Sequence, residues 1–110
     1  MESLPRTVHE YVTSAGKNPF RSWLGSLRDM KTQQIIDTRI ANVRRGTFGD
    51  FRSVGHGVIE LKISYGPGYR IYVGQDGPIT VILLCGGNKK TQDKDIKRAH
   101  DYWEDYRRRP

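Results

Sequence analysis

Cys85 is the only cysteine in a chain of 110 residues, so neither an intrachain disulfide nor a multi-cysteine zinc site can form, and a reducing compartment is expected. No pair among His9, His56 and His100 has the spacing of metal ligands, which argues against a metal centre. Long hydrophobic runs are missing too. The longest, Val81 to Cys85 with Ile79 just ahead of it, is far too short to span a bilayer, and the first residues hold no apolar signal core. A cytoplasmic protein without membrane contact is therefore expected. Acidic residues are scarce relative to basic ones, 12 against 19, so the formal charge is +7 and the pI near 9.8. There is no internal repeat, and the terminal Arg107-Arg108-Arg109 is too short to form a tail domain. The glycine-containing stretches GPGYR and CGGNK fit neither a dinucleotide fingerprint nor a P-loop, so no nucleotide cofactor is indicated, and none of any other kind.

What remains is a single domain, residues 1–110, of ordinary globular composition: 35% hydrophobic and 28% charged. The positive field attracts polyanions through counterion release and steering, which makes nucleic acid or an acidic protein the leading partner.

The periodicity outlines a scaffold. RTVHEYV alternates and reads as a first strand. In NPFRSWLGSL, Asn18 can cap and Pro19 suits the first helical position, while Phe20, Trp23, Leu24 and Leu27 fall at helical spacing. TQQIIDTRIANVRRG continues as a second helix with Ile36, Ile40 and Val43 as its stripe and Gly46 at its C-terminal end. VIELKIS and YRIYV alternate around a Gly-Pro-Gly turn, and GQDGP leads into ITVILLC, whose near-continuous apolar character suits a strand buried on both faces. TQDKDIKRAHDYWEDYRRR has acids in its first turn and arginines in its last, with Ile96, Ala99, Trp103 and Tyr106 along one side. The expectation is an α+β domain: a small antiparallel sheet, two N-terminal helices and one C-terminal helix, gathered mainly against one sheet face.

With the helices on the Ile59/Leu61/Ile63 face, the opposite face would carry Lys62, Arg70 and Tyr72 in the open, and the loop after the last strand would bring Lys89 and Lys90 to its rim. Like charges opposite one another repel unless an anion lies between them. Tyr65 and Tyr72 among the cations would offer rings on which unpaired bases stack, and Arg52 would extend the basic footprint. His56, between Gly55 and Gly57, is a turn residue close enough to the Lys62 strand to contribute a proton. Trp23, Trp103 and Tyr106 are expected in the core, and Cys85 as packing.

IELKISYGPGYRIYV followed by ILLCGGNKKTQDKDIKRAHDYW resembles the signature region of the RelE/ParE superfamily of bacterial toxins, in its HigB-like, addiction-module-killer branch. The resemblance implies a RelE-like fold and a type II toxin–antitoxin module. It also implies a cognate helix-turn-helix antitoxin, contact with operator DNA only through that antitoxin, and metal-independent cleavage of mRNA on the ribosome. Carried over onto this chain, it makes Arg70 the contact to the scissile phosphate, Lys62 a proton-transfer or charge-stabilising residue, and Lys89 a basic group at the leaving oxygen. It also implies a tyrosine or histidine near the start of the last helix, where this chain has Thr91-Gln92-Asp93. That departure keeps open a ParE-like inhibitor of DNA gyrase, or a non-catalytic nucleic-acid-binding module.

Overall fold

The computed structural model describes residues 4–109. Strand β1 (Thr7–Glu10) leads into helices α1 (Pro19–Ser26) and α2 (Met30–Arg44). Strands β2 (Phe51–Ser53), β3 (Val58–Ile63), β4 (Tyr69–Asp76) and β5 (Thr80–Gly87) follow, then a short 3₁₀ turn at Lys89–Thr91 and helix α3 (Gln92–Arg108). The helices begin where side chains satisfy free backbone donors. Asn18 accepts from the N–H of Arg21 at 3.0 Å ahead of Pro19, and Asp29 accepts from the Lys31 N–H at 3.2 Å and the Thr32 hydroxyl at 2.8 Å.

The protein is an α+β domain built on one five-stranded mixed sheet in the order β1-β5-β4-β3-β2. Two features depart from the expected arrangement. The sheet is not wholly antiparallel: β1 lies beside β5 in parallel register, Thr7 opposite Thr80 and Glu10 opposite Leu83, because α1 and α2 carry the chain across the sheet before it returns. The short edge strand β2, paired with β3 through Phe51–Leu61, also lay outside the sequence reading, since three exposed residues carry no burial pattern.

The helices, moreover, do not share one face. α1 and α2 cover Leu61, Ile63, Ile71, Val73, Val81 and Leu83 with Phe20, Leu24, Ile36, Ile40 and Val43. On the opposite side Ala99 and Trp103 of α3 pack on Val58, Tyr72, Ile82 and Leu84. The reason lies in β4 and β5, whose central residues are buried on both faces and so need an apolar cover above and below. Each fully buried aliphatic or aromatic side chain in these layers contributes roughly 1.5–3 kcal/mol.

Glycine sets how closely the covers approach. The indole of Trp103 occupies the space a Cβ at Gly74 would take, and Trp23 does the same at Gly86 from the α1 side. Gly74→Ala should therefore destabilise the fold by about 1–3 kcal/mol, as overpacking does. Gly25→Ala, in α1 with open space around it, should instead stabilise by about 0.5–1 kcal/mol. Urea unfolding midpoints of the two variants should thus move in opposite directions from wild type.

Candidate functional site

The pleat sends Glu60 and Lys62 of β3, and Arg70 and Tyr72 of β4, to the side on which α3 lies. Glu60 stands opposite Tyr72, and Lys62 opposite Arg70. α3 covers only part of this face. Its first residue, Gln92, reaches Glu60, with Nε2 2.9 Å from Oε2, whereas Lys62 one step further along is exposed. The sheet thus opens into a hollow of about 370 Å³ where the helix begins, lined by Asp50, Phe51, Arg52, Glu60, Lys62, Arg70 and Gln92.

Glu60 is the centre of the hollow's wiring. Only 2% exposed, it accepts from Arg52 Nε at 2.8 Å on one oxygen, and from the Tyr72 hydroxyl at 3.0 Å and Gln92 on the other. Burial acts to raise its pKa, but the hydrogen bonds from Arg52, Gln92 and Tyr72, with the charge of Arg52, outweigh it and hold the carboxyl below its ordinary value. The same contact works in reverse on Tyr72, whose phenol is pushed up first by burial and then by the neighbouring carboxylate.

Arg70 is the second buried charge, 6% exposed. Its NH1 donates to the carbonyl of Gly68 at 2.6 Å, while its Nε, 3.8 Å from Glu60 Oε2, has no hydrogen-bond partner among the described residues. The Nε thus faces the Glu60 carboxylate in a long ion pair out of contact with solvent, which fixes the guanidinium in place. The Gly66-Pro67-Gly68 turn makes this position possible: Gly68 has φ +78°, and a Cβ there would lie 3.0 Å from Arg70 NH1 and 3.6 Å from the Cβ of Lys89. Lys89, exposed on the 3₁₀ turn, therefore stands against the same Gly68 turn that holds Arg70. From α2, on the other face of the sheet, Arg39 holds the backbone that presents Lys62. It donates to the carbonyls of Phe48 (2.9 Å), Lys62 (2.6 Å) and Asp50 (2.6 Å).

Of the residues singled out in the sequence, Arg52, Lys62 and Arg70 line one hollow, while Lys89 lies across the Gly68 turn from Arg70 and does not line it. Others need correction. Arg70 does not stand free on an open surface, and Tyr72 is fully buried under α3, so its ring presents no face to a base; its role is to hold Glu60. Tyr65 packs against the α1/α2 side of the core, with the Lys31 ammonium 5.7 Å above its ring. His56, at φ +57° in the β2–β3 turn, lies 4.4 Å from the ring of His100 and away from Lys62's hollow. Lys90 is exposed on the 3₁₀ turn and does not line the hollow. Cys85 is packed in the core as expected, its thiol pushed up to about 12 by burial and then by Asp95.

Glu60, Gln92 and Arg39 were missed. Glu60 carried a signal, as an acid set directly among Lys62, Arg70 and Tyr72 on one strand face. Gln92 and Arg39 act from elements whose approach no local pattern reveals.

An α+β domain with a cation-lined hollow at the open end of its sheet is the class that fold and site define. The chain is 49% identical over 80 residues to an uncharacterized protein of Haemophilus influenzae, an overlap of 73% of this chain and 81% of the relative, and it belongs to the same family as that protein. No family model and no solved structure matches the chain.

The network has a measurable consequence. Glu60→Gln preserves shape but leaves Arg70 buried without a compensating charge, at a cost of roughly 3–5 kcal/mol, toward the lower end because Arg52 is open to water. A carboxyl held below its unfolded value of 4.5 stabilises the fold above that pH and loses the contribution as pH falls through the folded value. Unfolding midpoints between neutral pH and pH 3 should therefore show the wild-type advantage over Glu60→Gln at its full size near neutrality and shrinking below about 4.5.

Proposed function

We propose that the protein is a RelE/ParE-type toxin with a RelE-like fold that cleaves mRNA on the ribosome. A helix-turn-helix antitoxin whose acidic segment fills the cationic hollow neutralises it. The observation that carries this reading is the gathering of Arg52, Lys62 and buried Arg70 around one hollow, with Glu60 paired to Arg70 inside it.

Cleavage by the 2′-hydroxyl forms an O2′–P bond and breaks the P–O5′ bond, leaving a 2′,3′-cyclic phosphate and a 5′-hydroxyl. The greatest demand is stabilisation of the charge that builds on the phosphoryl oxygens in between. Donors fixed in place before reaction meet it best, and Arg70 is held by Gly68 and Glu60 before any substrate arrives. Lys62, opposite Arg70, is the second cation. Glu60 is the carboxylate available to take the 2′-hydroxyl proton, and Lys89 supplies a proton to the departing 5′-oxygen. Because Glu60's depressed pKa makes it a weak base, more of the acceleration rests on charge stabilisation and on alignment of the mRNA by the ribosome. The scheme draws on no cofactor.

A second reading has an observation of its own. The residue that α3 offers to Glu60 is the neutral amide of Gln92, which positions the carboxylate but cannot transfer a proton. A ParE-like protein would use the same hollow to bind DNA gyrase without phosphodiester chemistry.

Induction in a bacterial host, with 5′ ends of mRNA mapped, separates the two. The ribonuclease reading expects cuts within translated codons that fall by about a hundredfold or more in Arg70→Ala, the scale of losing one preorganised donor. Arg70→Lys, which keeps the charge and loses the fork, should retain the fold by thermal melting and still lose most cleavage. Intact mRNA with DNA-damage signalling would favour the gyrase reading instead.

A further inference from the structure

β5 outruns its neighbour. β1 pairs with it only as far as Leu83, while β5 continues through Leu84, Cys85, Gly86 and Gly87 with β4 on its other side. Alternate residues of a strand turn their N–H and C=O groups to opposite sides, so part of this run presents free backbone donors and acceptors along the edge that β1 has left. Helices close the space over that edge. Trp23 of α1 comes from one side, and Arg98 and Tyr102 of α3 from the other, and together they bound a slot of about 370 Å³ with Gly86 and Gly87 at its base. Trp23 and Tyr102 are half-buried, leaving ring surface in the slot, and Arg98 is exposed beside them.

The slot begins one strand away from Arg70. Gly87 is the cross-strand partner of Arg70, and such partners lie about 4.5–5.5 Å apart. It differs in charge, however: buried Asp95 lines it, so it disfavours a second phosphate while still accepting a neutral, flat, hydrogen-bonding group. Free backbone groups, aromatic walls, a guanidinium plane and a neighbouring anion site are together the chemistry that recognises a nucleobase.

We propose that this slot is a nucleobase subsite, which takes the base of a nucleotide next to the phosphodiester held at Arg70 and so contributes base preference. The inference rests on the RNA-cleaving reading above and adds a recognition element to it. The base stacks against Trp23 or Tyr102, its edge meets the β5 backbone, and Arg98 closes over it.

The test is a set of hexaribonucleotides blocked against cleavage by 2′-O-methyl groups, each abasic at one position, titrated against the protein at low salt. Affinity is read by fluorescence anisotropy, and the Trp23 indole N–H signal is followed by NMR. Loss of the base at one position should weaken binding about tenfold and abolish the Trp23 shift, the scale of one stacked base. In Arg98→Ala, an exposed change, and in Tyr102→Ala, which also removes a half-buried ring and is checked for folding by thermal melting, that positional difference should collapse, whereas Arg70→Ala should weaken every oligonucleotide alike. Equal affinity for all abasic positions, with Arg70→Ala still weakening binding, overturns the subsite and leaves the RNA reading standing. A Trp23 signal that answers an extended peptide and no oligonucleotide marks the edge as a strand-pairing surface and overturns the subsite as well. Failure of every oligonucleotide to bind overturns the subsite.

Discussion

The buried carboxylate of Glu60 is the constraint around which the open end of the sheet is organised. It ties β3 to β4 through Tyr72, to the edge strand through Arg52 and to the first residue of α3 through Gln92, and it is the nearest negative charge to Arg70. A buried ion is tolerated only when its hydrogen bonds are made and its charge is offset. With Glu60 in place, Arg70 can sit out of water although its Nε makes no hydrogen bond among the described residues. Without it, the same guanidinium would be an uncompensated charge.

The packing around this point accounts for the shape of the site. Trp103 over Gly74 and Trp23 over Gly86 bring helices against both faces at close range, since neither glycine has a side chain to hold them off. α3 starts at Gln92, so the face it covers ends near Glu60, and Lys62 is left beyond the cover. The Gly68 turn and the 3₁₀ turn then draw Lys89 beside Arg70. The hollow is a boundary between a buried and an open stretch of one sheet face. This explains why cations fixed by hydrogen bonds and cations free in solvent meet in one place.

Much of the scaffold was legible in order. Asn18-Pro19 and the Ile36/Ile40/Val43 stripe mark their helices, the alternation of Val58–Ile63 and the Gly-Pro-Gly turn mark a hairpin, and the apolar run of β5 reads as a strand buried on both sides. That last reading already requires covers on two faces, yet nothing local assigns α3 to the second. Residues of the site were legible as types and less so as environments. Lys62 and Arg70 share a face as their alternation requires, but whether that face is wet depends on where a helix more than twenty residues further along the chain comes to rest. Tyr72, read as an exposed ring, is the plainest case. Alternation says which side a side chain points to and is silent about what lies on that side.

The amino-acid sequence by itself determined the α+β class, the start of α1 at Asn18-Pro19, the hairpin alternation that puts Lys62 and Arg70 on one face, and the positive field, because each depends on residues a few positions apart or on a sum over the chain. Tertiary structure alone decided that β1 runs parallel beside β5 and stops short of its end, that α3 buries Tyr72 and Arg70, and that Glu60 collects donors from β2, β4 and α3. Those outcomes depend on which surfaces, distant along the chain, exclude water from one another, and that is settled only when the whole chain packs.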